Sequence, residues 1–320
     1  MTPRVLITGA AGYLGRQLAA ELATRVGTGT IGAVIGTDVR EWAAATRPAA
    51  LTWVTHDVRS SGLDLVLRAH AIDVVVHLAA IVTPGPDSRR DFEYSVDVRG
   101  TRAVLDACLA AGVRRIVVTS SGAAYGYHAD RPAWLTEDAP VHGNYAFAYA
   151  WHKRLVEEML AAERREHPAL EQVVLRVTAV LGATVNNQIT ALFERPTLLA
   201  VTGSASPFTF VHDVDVVAVL AQAVASPVVG VFNVAGDGAL TIDDIGQLLG
   251  KPVRRLPPWL LGAVLSVAQP LGLTRYGPEQ VMFLRHRPVL DNTRLKQVFG
   301  YQPQYTSREA FLAWRDRRLR

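Results

Sequence analysis

A glycine-rich segment near the N-terminus limits most strongly how this chain can fold. The apolar run RVLIT is followed by GAAGYLG at positions 9–15 and then by QLAAEL, which has the spacing of an amphipathic helix. This order predicts a strand, a tight turn and a helix. Gly9 would let the turn close, Gly12 would let backbone amides approach a pyrophosphate, and Gly15 would let the helix pack on the strand. On glycine spacing alone, an ordinary strand–turn–helix unit remains an equal alternative.

A carboxylate at the end of the second apolar run, AVIGT, favours a dinucleotide site. Asp38 follows that run, 23 residues after Gly15, where an acidic side chain binds the ribose hydroxyls of adenosine. The first turn of the helix, at Tyr13 and Leu14, offers free N–H groups and a positive dipole end to phosphates. NAD is therefore expected rather than NADP, although Arg40 could neutralise Asp38 or bind a phosphate.

Strand and helix patterns alternate through the first half of the chain. Apolar strands are predicted at 51–56, 73–78, 115–120 and 172–177, and helices at 61–70, 97–111 and 148–165. Continuous apolar strands separated by helices predict an α/β fold of the Rossmann type, with a doubly wound parallel sheet covered on both faces.

The pattern loosens after residue 177. It predicts a loop with a helix at 182–207, a strand or turn and then a helix at 208–226, a strand at 229–234, and a helix at 242–249 with Thr241 as its N-cap.

Two regions are expected from this change of pattern. Residues 1–177 and about 208–235 would form the dinucleotide-binding domain, and about 178–207 together with 236–320 a smaller C-terminal substrate-binding subdomain. A chain of 320 residues that is 49% hydrophobic can bury a core of this size.

Composition excludes several classes of function. The single cysteine, Cys108, rules out an internal disulfide, fits a reducing cytoplasm, and lies in an Ala/Leu-rich helical pattern that predicts a buried thiol. No clustered His/Cys pattern suggests a metal. The net charge is +4, but the basic C-terminal run lacks interleaved aromatics, so nucleic-acid binding is not expected.

The first strand begins by residue 4, which leaves no room for a signal peptide, and the apolar stretch 259–273 is too short to span a membrane. A cytoplasmic location is expected.

Tyr149 and Lys153 suggest the chemistry. Positions i and i+4 share one face of a helix, and an ammonium beside a phenol would lower the phenol's pKa from about 10. A serine from the preceding strand end, Ser120 or Ser121, can hydrogen-bond the same substrate oxygen. Such a trio suits proton transfer at an alcohol or carbonyl oxygen while a hydride moves at carbon.

The motifs together resemble those of the extended short-chain dehydrogenase/reductase family, also described as the NAD-dependent epimerase/dehydratase family. The resemblance runs essentially end to end, and it is the order and spacing of the motifs that make it specific. The motifs are TGAAGYLG at 8–15, Asp38, HDV at 56–58, HLAA at 77–80, SSGAAYG at 120–126, Tyr149 with Lys153, LR at 175–176, FVHDVD at 210–215, FNVAG at 232–236, and NTRL at 292–295 leading to FGYQP at 299–303.

The resemblance implies roles for individual residues. Ser121, four residues before the Tyr-Gly pair, would be the catalytic serine beside Tyr149 and Lys153. Lys153 would also bind the nicotinamide ribose. Asp57 and Val58 would flank the adenine, and Leu78, Ala79 and Ala80 would run along the middle of the cofactor. Ser121, Ala123, Asn186 and Phe208 are the candidate substrate residues. His77, His212 and Tyr145 are expected to have structural rather than catalytic roles.

Two departures from the family pattern bear on function. Asp97 stands where the family often has Asn, in the sequence DVRGT. Phe208 stands where nucleotide-sugar enzymes usually carry an arginine for the substrate diphosphate. A cation could still reach that place from Arg195, Arg275, Arg285 or Arg287.

The expected function is therefore an NAD-dependent alcohol dehydrogenase or carbonyl reductase for a neutral, fairly apolar secondary alcohol or ketone, which the stretch 259–265 could cover. A nucleotide-sugar epimerase or dehydratase with tightly bound NAD is the first alternative. A non-catalytic NAD(P)-sensing regulator is the second. The resemblance of the helices at 98–111 and 148–165 to the pairing helices of the family implies a homodimer.

Overall fold

The computed structural model describes residues 2–83, 85, 88–185, 187–274 and 276–318. The strands are β1 (Arg4–Thr8), β2 (Ala33–Asp38), β3 (Leu51–Thr55), β4 (Val74–His77), β5 (Arg115–Ser121), β6 (Glu171–Val177), β7 (Ala179–Leu181), β8 (Leu198–Val201), β9 (Phe210–His212), β10 (Gly230–Val234) and β11 (Val253–Leu256). The α-helices are α1 (Tyr13–Gly27), α2 (Leu63–Ala69), α3 (Arg90–Tyr94), α4 (Gly100–Ala111), α5 (Ala148–Glu166), α6 (Gln188–Glu194), α7 (Asp213–Ala225), α8 (Ile242–Leu249), α9 (Pro258–Ala268), α10 (Gln280–Arg285) and α11 (Ser307–Arg318).

Seven strands form one parallel sheet in the order β10-β6-β5-β4-β1-β2-β3, which confirms the expected doubly wound Rossmann-type fold. The direction of winding reverses at β1, because β2 lies on one side of it and β4 on the other. Thr8 pairs with Thr37 and with His77, so the carboxyl ends of these three strands are level. In such sheets ligands bind in the crevice beyond the carboxyl ends at the reversal point.

Helices cover both faces of the sheet, as the period of the strands requires. Val5 and Ile7 pack in a core with α1 and α7, whereas Leu6, between them, packs in a second core with α2, α4 and α5. Successive side chains of a strand point to opposite faces, so an uninterrupted apolar strand supplies both cores at once.

A third core lies among the C-terminal elements and is rich in aromatic side chains. Phe193, Phe208, Phe210, Phe311 and Trp314 are all at most 4% exposed and contact one another. Two short parallel pairs, β7 with β9 and β8 with β11, accompany it. We propose that this core belongs to the smaller substrate subdomain expected from 178–207 and 236–320.

Some element boundaries differ from expectation. The predicted loop with one helix at 182–207 contains β8 as well as α6, because β8 pairs with β11, a partner far along the chain that local periodicity cannot reveal. The helix predicted from residue 97 begins at Gly100, after a π-helical turn over Ser95–Arg99. The predicted cap of α8 is present: Thr241 Oγ1 accepts the Asp244 N–H at 3.2 Å.

Candidate active site

A cleft of about 1930 Å³ lies beyond the carboxyl ends of the parallel strands. One side is made by the residues that follow β1, β2, β4 and β5, and the other by segments of the C-terminal region. The cleft is lined by every expected site residue that the structure describes: Gly9, Gly12, Tyr13, Leu14, Gly15, Asp38, Arg40, Asp57, Val58, Leu78, Ala79, Ala80, Ser121, Ala123, Tyr149, Lys153 and Phe208. Asn186 lies outside the described residues.

The glycine turn is packed too tightly for side chains. Gly9 has φ +69°, and a Cβ there would lie 2.7 Å from the Ala79 nitrogen. A Cβ at Gly15 would lie 2.3 Å from the Gly9 carbonyl oxygen. Gly12 is the N-cap residue of α1 and has no side chain to cap the helix. The N–H groups of the first turn therefore have no hydrogen-bond partner within the helix and face the cleft. This cradle fits the pyrophosphate of a dinucleotide.

Asp38 ends β2 at the expected ribose position and is only 7% exposed. Its Oδ2 accepts the Ala11 N–H at 3.1 Å, and its Oδ1 accepts the Arg40 N–H at 3.0 Å. The Arg40 side chain pairs with the same Oδ1 at 3.3 Å and is itself 65% exposed. Arg40 therefore does neutralise part of the Asp38 charge, while carboxylate lone pairs remain for ribose hydroxyls.

The expected adenine neighbours, Asp57 and Val58, follow β3. The Asp57 carboxylate is held by Arg59, with Nη2 to Oδ2 at 2.5 Å. Hydrogen bonds from Arg59 lower the pKa of Asp57. Val58 is 6% exposed and belongs to the core beneath this end of the cleft. The polar group of Asp57 is thus turned to a protein partner.

The structure brings Ser121, Tyr149 and Lys153 together. Ser121 ends β5, accepts the Ala123 N–H at 3.1 Å and hydrogen-bonds the Tyr149 phenol. Lys153 is 6% exposed, and its Nζ donates to the Thr119 carbonyl at 2.8 Å. That nitrogen lies 5.6 Å from the centre of the Tyr149 ring. Helix α5 thus presents both side chains to the end of β5.

The expected lowering of the Tyr149 pKa by Lys153 is corrected by the structure. Burial raises the pKa of Tyr149 above its usual value of 10.0, the hydrogen bond from Ser121 lowers it by less, and the charge of Asp97 raises it further. Burial also lowers the pKa of Lys153. The ammonium binds a backbone carbonyl rather than the phenol, so desolvation outweighs any attraction between the two side chains.

The two serines at the end of β5 face different partners. Ser120 is buried and donates to Glu157, which in turn pairs with Arg176. Neighbouring residues of a strand point to opposite sides, so Ser121 is the one directed to Tyr149. This geometry agrees with the preference for Ser121.

One of the four arginines expected as possible sources of a cation lies at Phe208. The guanidinium of Arg287 lies over the Phe208 ring, 3.7 Å from its centre, and 5.4 Å from the centre of the Phe283 ring. Its Nη2 donates to the Ser206 carbonyl, while Nε and Nη1 are buried with no hydrogen-bond partner among the described residues. The cleft at Phe208 therefore carries a positive charge. Ser206 has φ +28°, a left-handed conformation that serine rarely adopts.

Tyr13 makes a contact that the sequence did not suggest. Its phenol donates to Asp213 Oδ2 at 2.5 Å and thereby joins the start of α1 to the start of α7. Burial and this hydrogen bond raise the pKa of Tyr13 to about 12. The two residues lie 200 positions apart, and no feature of the sequence indicates that they form a pair.

His77 and His212, expected to have structural roles, each have protein partners. His77 is buried, with Nδ1 2.7 Å from Thr8 Oγ1 and Nε2 3.0 Å from Thr101 Oγ1. His212 Nδ1 lies 2.9 Å from Asp213 Oδ1. Tyr145 is 68% exposed and is not among the described residues that line the cleft.

Helix α9 forms an apolar wall of the cleft. Leu260, Leu261, Val264 and Leu265 line it, whereas Trp259, at 72% exposed, lies on the outer surface. The stretch expected to cover a substrate therefore contributes four of its seven residues to the cleft. Within the described part of the chain, no helix is both long and apolar enough to cross a membrane.

Comparison with known proteins agrees with this geometry. An uncharacterised protein of Mycobacterium tuberculosis is 26% identical over 310 residues, which span 96% of this chain and 82% of the relative. The UDP-glucose 4-epimerase of Azospirillum brasilense is 36% identical over 185 residues, which span 57% of this chain and 50% of that enzyme. The crystal structure of dTDP-glucose 4,6-dehydratase from Bacillus anthracis in complex with NAD has a TM-score of 0.73 at 17% identity and matches 98% of this chain and 96% of its own.

Residues 5–235 match the NAD dependent epimerase/dehydratase family. That match covers well over half of the chain, includes the glycine turn, Asp38 and the trio at the end of β5, and confirms both the resemblance and the expected cofactor class, NAD. This protein belongs to the NAD dependent epimerase/dehydratase family.

Proposed function

We propose that this protein uses NAD to act on a nucleoside-diphosphate sugar, and that it is an epimerase. The observation that carries the proposal is the half-buried, incompletely paired guanidinium of Arg287 in the cleft. This reading replaces the alcohol dehydrogenase or carbonyl reductase that the sequence favoured. The family membership and the identity to a UDP-glucose 4-epimerase over 185 residues support it.

Arg287 has the properties of an anion ligand. Burial lowers its pKa to about 9, so it still carries its charge at neutral pH. A buried cation without a counter-charge is costly. Among the described residues its Nε and Nη1 have no hydrogen-bond partner, so these donors are available to the phosphate oxygens that arginine binds well. Phe208 and Phe283 hold the plane of the guanidinium. A diphosphate, with about two negative charges, would supply the missing partner.

The trio at the end of β5 would handle the proton. NAD, when bound, supplies an acceptor and donor of hydride at carbon. As the phenolate, Tyr149 would take the proton from the substrate hydroxyl, and as the resulting phenol it would later return that proton to the carbonyl oxygen, while Ser121 holds that same oxygen. Lys153, already fixed by the Thr119 carbonyl, would bind the cofactor ribose and place a positive charge near the phenol.

The residues beside Ser121 favour epimerisation over dehydration. Loss of water from a keto sugar needs an acid and a base to move a proton from carbon and to protonate the leaving hydroxyl. The positions after Ser121 are Gly122 and Ala123, neither of which titrates. Hydride removal and return requires only the Tyr149 proton relay.

A reductase of apolar ketones is the second candidate, because α9 lines the cleft with Leu260, Leu261, Val264 and Leu265. The two candidates differ in the fate of the cofactor. An epimerase ends each cycle with NAD reoxidised, whereas a reductase consumes NADH in solution. Incubating the NAD-loaded protein with UDP-sugars, and separately with neutral ketones plus NADH, distinguishes them. Sugar isomerisation without net NADH change supports the epimerase, and stoichiometric NADH loss with a ketone supports the reductase.

Calorimetry with UDP and dTDP, with NAD present, tests the diphosphate site. We expect micromolar binding by the wild type and at least a tenfold loss in Arg287→Gln, because a charge-assisted bond contributes about 1.5–3 kcal/mol. Arg285→Gln is the matched control, since Arg285 lies two positions away and is not among the described residues that line the cleft. Equal affinity of the two variants would refute the site.

The expected homodimer also stays a proposal. Helices α4 and α5 lie side by side on one face of the sheet and are linked by Arg102, which contacts Glu163. Sedimentation velocity on the NAD-loaded protein tests the proposal, and a concentration-independent monomer would contradict it.

A further inference from the structure

Asp97 and His152 form a buried pair beside the cleft. His152 Nδ1 lies 3.0 Å from Asp97 Oδ2, and the two side chains are 1% and 2% exposed. The other oxygen, Asp97 Oδ1, accepts the Ile81 N–H at 2.8 Å. Ile81 belongs to the segment after β4 that lines the cleft, and His152 is next to Lys153 on α5. One carboxylate thus joins the two.

Among the described residues, the His152 imidazole has one polar partner, Asp97. Its Nε2 is buried with no hydrogen-bond partner in the described parts of the chain, and the Tyr94 ring packs edge-on at 5.6 Å between ring centres. A carboxylate can only accept, so the imidazole proton is assigned to Nδ1.

The backbone around Asp97 is unusual. Residues Ser95–Arg99 form a π-helical turn between α3 and α4, a rare arrangement that occurs frequently at functional sites. An asparagine at this position has one oxygen and one NH₂ group, so it could not accept from both the Ile81 amide and a His152 Nδ1–H through two separate oxygens. The aspartate and the histidine therefore match each other.

The carboxylate also acts on its neighbours electrostatically. The charge of Asp97 raises the pKa of Tyr149 and opposes the effect of burial on Lys153. The other titratable groups facing the pair are Glu157 on α5, whose charge supports Lys153, Tyr94, and His77 on β4. Burial and the nearby Lys153 lower the pKa of His77 to about 3, so it stays neutral. Tyr127 adds to the raised pKa of Tyr149.

We propose that Asp97 and His152 are a positioning pair for the proton relay, in which one carboxylate ties the cofactor-lining segment at Ile81 to the helix that carries Tyr149 and Lys153. The inference rests on the proposed function in giving those two residues their relay role. Neither Asp97 nor His152 is among the described residues that line the cleft. The pair sets the distance between the cofactor segment and the relay, and its charge sets the pH at which the relay works.

Two variants of His152 separate position from packing. His152→Phe keeps an aromatic ring but removes both ring nitrogens, and with them the Nδ1 donor to Asp97, whereas His152→Asn places an amide N–H near the position of Nδ1. We expect His152→Phe to bind NAD about tenfold more weakly by calorimetry, the loss for one hydrogen bond to a charged group, and His152→Asn to stay within about twofold of wild type. A purely structural role would penalise both for the altered packing. Equal NAD affinity for both variants would overturn the proposal.

Asp97→Asn tests the charge. Removing the negative charge lowers the pKa of Tyr149, so the acid limb of the turnover–pH profile moves to lower pH, while His152→Asn leaves it unchanged. An acid limb that does not move in Asp97→Asn would remove the electrostatic part of the proposal.

The calorimetric comparison does not depend on the proposed reaction. NAD binding needs no sugar substrate, so that comparison stays decisive even if the proposed reaction is wrong. If His152→Phe does not fold, Asp97→Leu replaces it in the comparison with His152→Asn. We then expect Asp97→Leu to bind NAD more weakly and His152→Asn to keep its NAD affinity. Equal NAD affinity of these two variants would overturn the proposal.

Discussion

At the scale of single residues, two adjacent serines at the end of β5 have different roles: Ser120 has a structural contact and Ser121 faces the cleft. Ser120 points into the protein toward Glu157, which makes a bidentate pair with Arg176 at 2.6–3.0 Å. Ser121, one position later, points into the cleft at Tyr149. The buried pair of Glu157 and Arg176 fixes α5 and β6 relative to each other. Removal of one partner from such a pair lowers the stability of the fold by several kcal/mol. The chemistry therefore stands on a rigid support.

Tyr149→Phe should remove nearly all turnover and leave NAD binding close to wild type. Only the hydroxyl is lost, and that hydroxyl carries the proton. General acid–base groups contribute about 10²–10⁴-fold in rate. Steady-state turnover and NAD calorimetry on the same preparation measure the two effects. A variant with wild-type kcat would show that Tyr149 is not the relay.

Asp38 should make the protein prefer NAD over NADP, because its carboxylate repels a 2′-phosphate. In Asp38→Ser, that repulsion disappears and Arg40 loses its partner, so we expect NADP affinity to rise by about tenfold or more. The double variant with Arg40→Gln is the control and should lose the gain. Titration of both cofactors measures it, and tighter NADP binding by the wild type would contradict the preference.

At the scale of elements, the glycine turn and α1 work as one unit. The turn brings Gly9 against Ala79 on the neighbouring strand end, and Gly15 brings the helix against the Gly9 carbonyl. The start of α1 is thereby held where its N–H groups face the cleft. Tyr13 then ties this start to α7 through Asp213.

Gly15→Ala should weaken NAD binding by more than tenfold and lower the melting temperature. The added Cβ would lie 2.3 Å from a backbone oxygen, so the turn itself must shift. Gly27→Ala, at the other end of α1, is the matched control because, outside its chain neighbours and its own helix backbone, no atom of the described residues lies within 4 Å of its added Cβ. That change should be neutral or stabilise by up to about 1 kcal/mol. Similar losses in both variants would mean that the close approach at Gly15 is unimportant.

At the scale of the whole molecule, the sheet is enclosed by two apolar cores, and a free thiol lies in one of them. Cys108 on α4 is fully buried in the core with α2 and α5. Burial raises its pKa from 9.0 to about 12. Its predicted role as a core residue agrees with this environment, since a thiol so far from deprotonation is a poor nucleophile.

The buried thiol should make the fold less stable at alkaline pH. Above about pH 9 the unfolded chain releases the Cys108 proton while the folded protein keeps it, so the free energy of unfolding falls as pH rises. Between about pH 8 and about pH 10, the wild type should lose about 1.4 kcal/mol more than Cys108→Ala. Urea unfolding at the two pH values measures this, and parallel losses would contradict it.

Much of this architecture follows from the sequence because it rests on local geometry. The strands of the large sheet show as apolar runs, the turn at Gly9 shows as glycine spacing, and Tyr149 and Lys153 show as an i, i+4 pair. Each depends on the period of one element and on residues within a few positions of one another. The parallel order of the strands follows from the alternation of strand and helix.

Tertiary structure alone decided what the cleft can bind and how its groups titrate. Arg287 reaches the cleft by packing on Phe208 and bonding to Ser206, 81 positions away, and no local pattern selects it among the other arginines. Asp97 meets His152 across 55 positions. The pKa of Tyr149 rises because neighbouring elements exclude water from it, a property that spacing on a helix cannot express. Contacts between distant segments form only when the chain is folded, and these contacts also exclude water from the side chains. Together, the contacts and the exclusion of water determine the charge of this site.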